Sequence, residues 1–315
     1  MGLGYLTICI SLGVAAVYGK LVKFGVLLPQ DGKTYKEIVK TAKTAEDLGF
    51  NSFWVFDHFM PFIFSRKKDY LEAWTLLSAL AAETNSIRLG TLVTCTSYRN
   101  PALLAKIAAT IDVLSEGRLE FGIGAGWYRT EYEAYGFPFS KAGVRLAQLK
   151  EAIKIIKGMW TSFPYTYEGR YFTVRDAVCE PQPRQNPHPP ILIGGSRPRM
   201  LKLMAEEADI ANFGYKLFGL KKLASKIDDL CKKVGRSPTN LVKSYTGICY
   251  VTKGPLRIFL NTPHLDVVVA GSPMHCAEKI DKLVMQGFTY FILHFIGKDR
   301  LKSMKVFANE IMPIF

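Results

Sequence analysis

The sequence predicts a (β/α)8 barrel, the TIM-barrel architecture, from three observations. From Lys23 onward short apolar strands alternate with amphipathic helical segments, the pattern of a parallel sheet with helical returns. Eight such strands can be counted, the number that closes the barrel. They are nearly continuous apolar runs, as strands buried on both faces must be. A doubly wound sheet is the rival arrangement, but it uses a glycine fingerprint after its first strand, where this chain has only Pro29-Gln30-Asp31-Gly32-Lys33.

In chain order, Phe24–Leu28 is the first strand, and the helix from about Tyr35 to Leu48 repeats apolar residues at Ile38, Ala42, Ala45 and Leu48 before Gly49 ends it. Phe53–Phe56 is the second strand and Tyr70–Glu83 a helix. Ile87–Val93 is the third strand, followed by a helix opened by Pro101, a residue suited to the first helical turn. Leu119–Ile123 precedes a long helix over about Gly143–Trp160. Prolines 164, 181, 183, 187, 189 and 190 then mark residues 163–190 as an insertion after the fourth unit, with at most a short hairpin near Tyr165–Val174. The alternation resumes with Ile191–Ile193, a helix over Pro198–Glu207, Ile210–Phe213, a helix over about Leu220–Val234, and Val242–Val251. A helix beginning near Pro273, the strand Phe288–Phe295 and a helix over Leu301–Ile311 complete the pattern. Pro255 and Pro263 point to a shortened seventh unit.

A chain of 315 residues, 49% of them hydrophobic, can bury a large core in one barrel domain, here residues 23–315. Leu6–Tyr18 is an apolar run of signal-peptide length, but no basic segment precedes it, no clear small-x-small site follows it, and it is too short to span a bilayer comfortably. Residues 1–22 therefore read as an extension outside the globular fold, with a secretory signal as the alternative. Half of the net charge of +14 lies in residues 184–243, where twelve Lys/Arg face five Asp/Glu. No long basic run or aromatic-interleaved motif accompanies it, so a phosphorylated or polycarboxylate small molecule is a better partner than nucleic acid or membrane. The six cysteines form no C-x-x-C pair, which fits reduced thiols in a cytoplasmic enzyme. His188, His264, His275 and His294 lack ligand spacing, so no metal is expected.

In a barrel the active site is built where strands end. The second strand ends in Asp57-His58, a carboxylate beside a group that can transfer a proton, although an exposed loop pair reads the same way. The third ends in Leu92-Val93-Thr94 and is followed by Arg99-Asn100-Pro101. Thr94 could bond a planar ring that Leu92 and Val93 support, or all three could be barrel core. Gly122-Ile123-Gly124-Ala125-Gly126 leaves one face of the fourth strand end bare, which suits a flat ring or simply tight packing. Gly194-Gly195-Ser196, followed by Arg197 and Arg199 at a helix start, has the makings of a phosphate site, with an ordinary N-cap at Ser196 as the plain alternative. Glu131 and Glu133 follow the fourth turn and could serve a site, but two solvated carboxylates at a helix start explain them as well.

Several blocks together resemble the bacterial luciferase-like superfamily, in particular its branch of oxidoreductases dependent on coenzyme F420, a deazaflavin. They are Ser52-Phe53-Trp54-Val55-Phe56-Asp57-His58-Phe59, Tyr70-Leu71-Glu72-Ala73-Trp74, and Leu89 to Cys95 with Tyr98-Arg99-Asn100-Pro101. Gly117 to Tyr128 and Pro190 to Gly195 complete the set. The resemblance implies a hydride transfer between the deazaflavin C5 and a small organic substrate. It implies His58 as proton donor or acceptor, Asp57, Leu92, Val93, Thr94, Ala125 and Gly126 along the ring, and Gly194, Gly195 and Ser196 on the phosphate. A non-proline cis peptide at Leu92–Val93 is part of the implied pattern. Asp57, Val93, Gly126 and Gly195 should then border one rim. An FMN-dependent monooxygenase and a non-catalytic cofactor-binding barrel are the alternatives on this fold, and a homodimer is compatible with it. Two departures stand out: Trp127 occupies the place of the glutamate that sugar-phosphate dehydrogenases of this group carry, which disfavours that substrate, and Phe62 is an incomplete match to their aromatic residue after the histidine.

Overall fold

A computed structural model describes residues 22–61, 68–215, 219–252, 267–297 and 299–315. The barrel strands are β1 (Lys23–Leu27), β2 (Ser52–Val55), β3 (Arg88–Thr91), β5 (Leu119–Gly124), β8 (Ile191–Gly194), β9 (Ile210–Gly214), β10 (Val242–Val251) and β12 (Phe288–Phe295). All pair in parallel in the order β12-β1-β2-β3-β5-β8-β9, and β10 bonds both β9 and β12, which closes the cylinder. The returns are α1 (Tyr35–Asp47), α2 (Ala73–Glu83), α3 (Pro101–Leu114), α4 (Arg129–Ala134), α5 (Ala142–Thr161), α6 (Pro198–Glu207), α7 (Leu220–Lys233), α8 (Pro273–Val284) and α9 (Arg300–Glu310). The (β/α)8 barrel is therefore the observed fold. The insertion after α5 carries the antiparallel hairpin β6 (Tyr165–Glu168) and β7 (Thr173–Ala177).

Side-chain alternation sorts the strands into two cores. On β2, Phe53 and Val55 point outward to the helices, whereas Trp54 joins Leu27, Leu192, Tyr290 and Ile292 inside the barrel. Because successive residues of a strand face opposite ways, apolar residues at both parities are what a strand covered on both sides requires. Trp54 fits the barrel interior because residue 90 is glycine: a Cβ there would lie 2.5 Å from the indole. Its Nε1 donates to Ser52 Oγ at 2.7 Å. Tyr290 bonds both Ser52 (2.6 Å) and the buried Glu120 (2.7 Å), and Arg88 Nε donates to Glu120 at 2.7 Å. Polar groups inside the barrel thus satisfy one another, as burial demands.

Some boundaries differ from the sequence expectation for identifiable reasons. The third strand does not run through to Val93: β3 ends at Thr91, Leu92–Val93 is a cis peptide, and Thr94–Cys95 resumes as β4, paired with β5. Leu92 turns into the barrel interior there, which strand pairing alone would not direct. α2 begins at Ala73 rather than Tyr70, because the Glu72 carboxylate caps it by accepting from the Trp74 and Thr75 amides. β11 (Val267–Gly271) was not anticipated; it pairs with the end of β10. Residues 1–21, Phe62, Pro255 and Pro263 lie outside the described residues, so the readings made on them are not addressed.

Gly122→Ala tests how tightly the third strand's interruption is packed. The added Cβ would sit 1.9 Å from the Thr91 carbonyl oxygen, and backbone cannot yield as a flexible side chain can. A loss of about 1–3 kcal/mol in urea unfolding is expected; Gly214→Ala, at a strand end without a positive φ and with no atom nearer than 3.9 Å, controls for the effect of a new Cβ at a glycine.

Candidate active site

β2, β3, β5 and β8 are consecutive in the sheet and parallel, so the residues that follow them share one rim. Asp57, Val93, Gly126 and Gly195 lie on that rim, as the sequence anticipates.

Asp57, just past β2, has no exposed side-chain surface. Its Oδ2 accepts from the Cys95 amide (2.9 Å) and Arg99 Nη1 (2.8 Å), and its Oδ1 accepts from Arg99 Nη2 (2.9 Å). Burial pushes the Asp57 carboxyl above its ordinary range, while Arg99 pulls it down through charge and hydrogen bonds. Arg99 also bonds Glu72, the cap of α2, and the two carboxylates outweigh its own burial and hold it charged. Arg99 is 11% exposed at the side chain and spans the loops after β2 and β4.

His58 is held from α4. Its Nδ1 lies 2.8 Å from Glu131 Oε2, which also accepts from the Tyr98 hydroxyl at 2.6 Å. Glu131 Oε1 accepts from the backbone amides of Phe59 (2.7 Å) and Met60 (3.3 Å). Of the two readings of Glu131, the solvated one is wrong: the side chain is fully buried. Burial works to raise its pKa, but His58 above all, then Tyr98 and Phe59, hold Glu131 below the usual carboxylate range. Glu133 does remain outside, paired with Arg129. The sequence signal for Glu131 was slight, because a single carboxylate on a six-residue helix has no periodicity to reveal its inward face. Trp127 and Tyr128 stand edge-on to the His58 ring, each at a centroid distance of 6.0 Å, and Trp127 is 62% exposed.

The alternating glycines of β5 prove to make room for protein rather than to leave a face vacant. A Cβ at Gly124 would stand 2.7 Å from Val93 Cγ2, and one at Gly126 only 1.9 Å from the Tyr132 hydroxyl. Val93 is half-buried between Gly122, Gly124 and Gly194: a Cβ would lie 3.3 Å from Val93 Cγ1 at Gly122 and 3.4 Å from it at Gly194. Leu92 is 9% exposed. Thr94 is fully buried, and its hydroxyl pairs with Thr91 Oγ1 at 2.5 Å, so the side chain belongs to the barrel wall rather than to a ligand. Ala125 and Gly126 are half-buried at the strand end.

At the far side of the rim, Gly195 is exposed with φ +147°, but its amide donates to the Asn212 carbonyl at 3.1 Å. Arg197, not Ser196, holds the N-cap position of α6, without a side-chain bond, and Pro198 occupies the first turn. The amides of Arg199 and Met200 follow at a helix start, the position that favours anions; Arg197 and Arg199 are both exposed beside them. On the opposite side, Asp31 follows β1 with both carboxylate oxygens buried and without a hydrogen bond among the described residues, and the Tyr70 hydroxyl is in the same condition. Sequence reasoning gave neither a role: Asp31 lies in a loop without a pattern, and Tyr70 counted only as part of the resemblance block Tyr70-Leu71-Glu72-Ala73-Trp74. His294, on β12, is pushed down to about 4 by burial and by Lys33 and Arg300, and so is neutral at neutral pH. Among the described residues no group of three or more His, Cys, Asp or Glu side chains could hold a metal ion.

Residues 21–256 match the sequence model of a family described as luciferase-like monooxygenase. The chain belongs to that family. Luciferase-like relatives include an F420-dependent glucose-6-phosphate dehydrogenase of Microbacterium testaceum, 27% identical over 93% of this chain and 97% of the relative. A 5,10-methylenetetrahydromethanopterin reductase of Archaeoglobus fulgidus is 34% identical, over 93% of this chain and 99% of its own. Among solved structures, an F420-dependent secondary alcohol dehydrogenase in complex with an F420-acetone adduct superposes with a TM-score of 0.82 at 21% identity, covering 93% of this chain and 99% of that one. At that identity the likeness establishes the shared luciferase-like fold.

Arg99→Ala would strand the buried Asp57 carboxylate and uncouple it from Glu72. A loss of about 3–5 kcal/mol in urea unfolding is expected, with Arg99→Lys intermediate because it keeps the charge and loses the two-pronged fit.

Proposed function

We propose that this chain is a coenzyme F420-dependent oxidoreductase that exchanges a hydride equivalent with a small organic substrate, with His58 as the proton donor or acceptor. The observation that carries the reading is His58 itself: a histidine on the barrel rim whose Nδ1 is tied to a buried carboxylate at 2.8 Å, on a chain matched over 93% of its length by enzymes named as F420-dependent.

The residues present fit a deazaflavin. Val93, seated in the glycine cradle, offers a half-buried apolar step on the rim, and Leu92 lies behind it. Ala125 and Gly126 border the same step, and Asp57 lies at the neighbouring strand end, tied to the Cys95 amide just beyond the step. Thr94 serves by fixing that backbone through Thr91. Gly194, Gly195 and Ser196 lead into the α6 amino terminus, where backbone amides and Arg199 would hold the phosphate. When bound, the deazaflavin supplies the two-electron chemistry. The protein's part is to hold a proton at the His58 ring and to shield the rim with Trp127 and Tyr128.

The substrate side is aromatic at Trp127 and Tyr128, with the Asp31 carboxylate able to accept and the Tyr70 hydroxyl able to donate or accept. Such a surface favours an organic molecule with a planar or apolar face and hydrogen-bond donors over a sugar phosphate. Five of the cysteines are buried and free, which suits a cytoplasmic setting.

Fluorescence titration of the full chain with F420 and with FMN, separately, tests the cofactor. Tighter binding of F420 is expected, and preference for FMN would replace this reading with the monooxygenase one. His58→Ala should keep the cofactor affinity and lower kcat by roughly 10²–10⁴-fold with any substrate found by screening alcohols, pterins and other ring compounds. Binding without turnover across the screen would favour a non-catalytic barrel.

A further inference from the structure

We infer that Glu131 is a positioning residue for His58, fixing the ring as the tautomer that carries its proton on Nδ1 and so making Nε2 the nitrogen through which protons are exchanged. The inference uses the proton role given to His58 above, but the orientation it describes belongs to the protein alone.

The argument is one of hydrogen-bond capacity. An ionised carboxylate only accepts, and Glu131 is held below the usual carboxylate range. Its Oε1 is occupied by the amides of Phe59 and Met60, which can only donate. Its Oε2 faces the Tyr98 hydroxyl and His58 Nδ1, at 2.6 and 2.8 Å. A 2.8 Å contact with an acceptor-only oxygen requires a hydrogen on Nδ1 in the neutral ring as well as in the charged one. The neutral ring then has its lone pair on Nε2. The same carboxylate fixes the ring in space: Phe59 and Met60 follow His58 directly, so Glu131 binds the backbone that carries the histidine and the ring itself. Tyr98, 7% exposed, bonds Glu131 from the strand-three side and so joins three neighbouring loops on one carboxylate.

Glutamine at position 131 makes a sharp test. The two backbone donors demand an acceptor where Oε1 stands, so the carboxamide oxygen must take that place and the amide nitrogen must face His58. An N–H group there donates, and it would force Nδ1 to accept and Nε2 to carry the proton. Long-range ¹H–¹⁵N spectra of the histidine rings read this directly in the full chain without cofactor. There are five histidines, and the His58 signals are those lost in His58→Ala.

The expected result is a wild-type His58 protonated at Nδ1 at neutral pH, a switch to the Nε2–H form in Glu131→Gln, and the wild-type form kept in Tyr98→Phe and regained in Glu131→Asp. With a substrate in hand, Glu131→Gln should lower kcat by on the order of 10²–10⁴-fold with little change in cofactor affinity. A wild-type Nε2–H ring, or an unchanged tautomer in Glu131→Gln, would overturn the inference; the wild-type spectrum decides even if that variant does not fold. A switched tautomer with undiminished kcat would instead overturn the proton role of His58 and leave its orientation by Glu131 standing.

Discussion

The rim of this barrel depends on the ion pair between Asp57 and Arg99. A carboxylate with no exposed surface is costly by itself, and the two-pronged guanidinium with the Cys95 amide is what makes it tolerable. Arg99 reaches on to Glu72, whose other task is to cap α2. One cation therefore ties the end of β2, the turn after β4 and the start of α2, and the positions of His58 and of the Leu92–Val93 step follow from that connection. Removing a charge here would affect geometry as much as stability, because the three segments meet on one guanidinium.

Glu131 completes the arrangement from the next loop. It differs from Asp57 in its partners: Asp57 faces a permanent cation, whereas Glu131 is satisfied by two backbone amides, a phenol and an imidazole. The first arrangement is a structural clamp. The second leaves one partner, His58, able to change its protonation state, and so couples a rigid carboxylate to a group suited to chemistry. The aromatic rings of Phe59, Tyr98 and Phe137 pack around this pair and keep water from the carboxylate, which strengthens each of its bonds.

Charge is distributed unevenly around the mouth. The α6 side presents exposed arginines and helix-start amides, whereas the β1 side mixes the buried Asp31 carboxylate and Tyr70 hydroxyl with the cations Lys33 and Arg300.

How much of this was legible in the sequence follows from the range of the interactions involved. Strand and helix alternation is local, so the barrel and most boundaries could be read directly; Val242–Val251, Phe288–Phe295 and Pro198–Glu207 occur as expected. That Asp57-His58 and Gly194-Gly195-Ser196 stand at strand ends was legible because each adjoins an apolar strand, and in a barrel strand ends share a rim. What only the tertiary structure decided concerns partners distant in the chain. Glu131 lies 73 residues from His58, and Arg99 lies 42 from Asp57. Nothing local separates a carboxylate that bonds a histidine from one in solvent, as the neighbouring Glu133 illustrates. The glycines of β5 teach the same lesson: their spacing is plain in the sequence, yet whether they make room for a ligand or for Val93 depends on where another strand places its side chain. Local pattern fixes which elements form, whereas burial and hydrogen-bond pairing, which exist only once those elements meet, determine what each side chain can do.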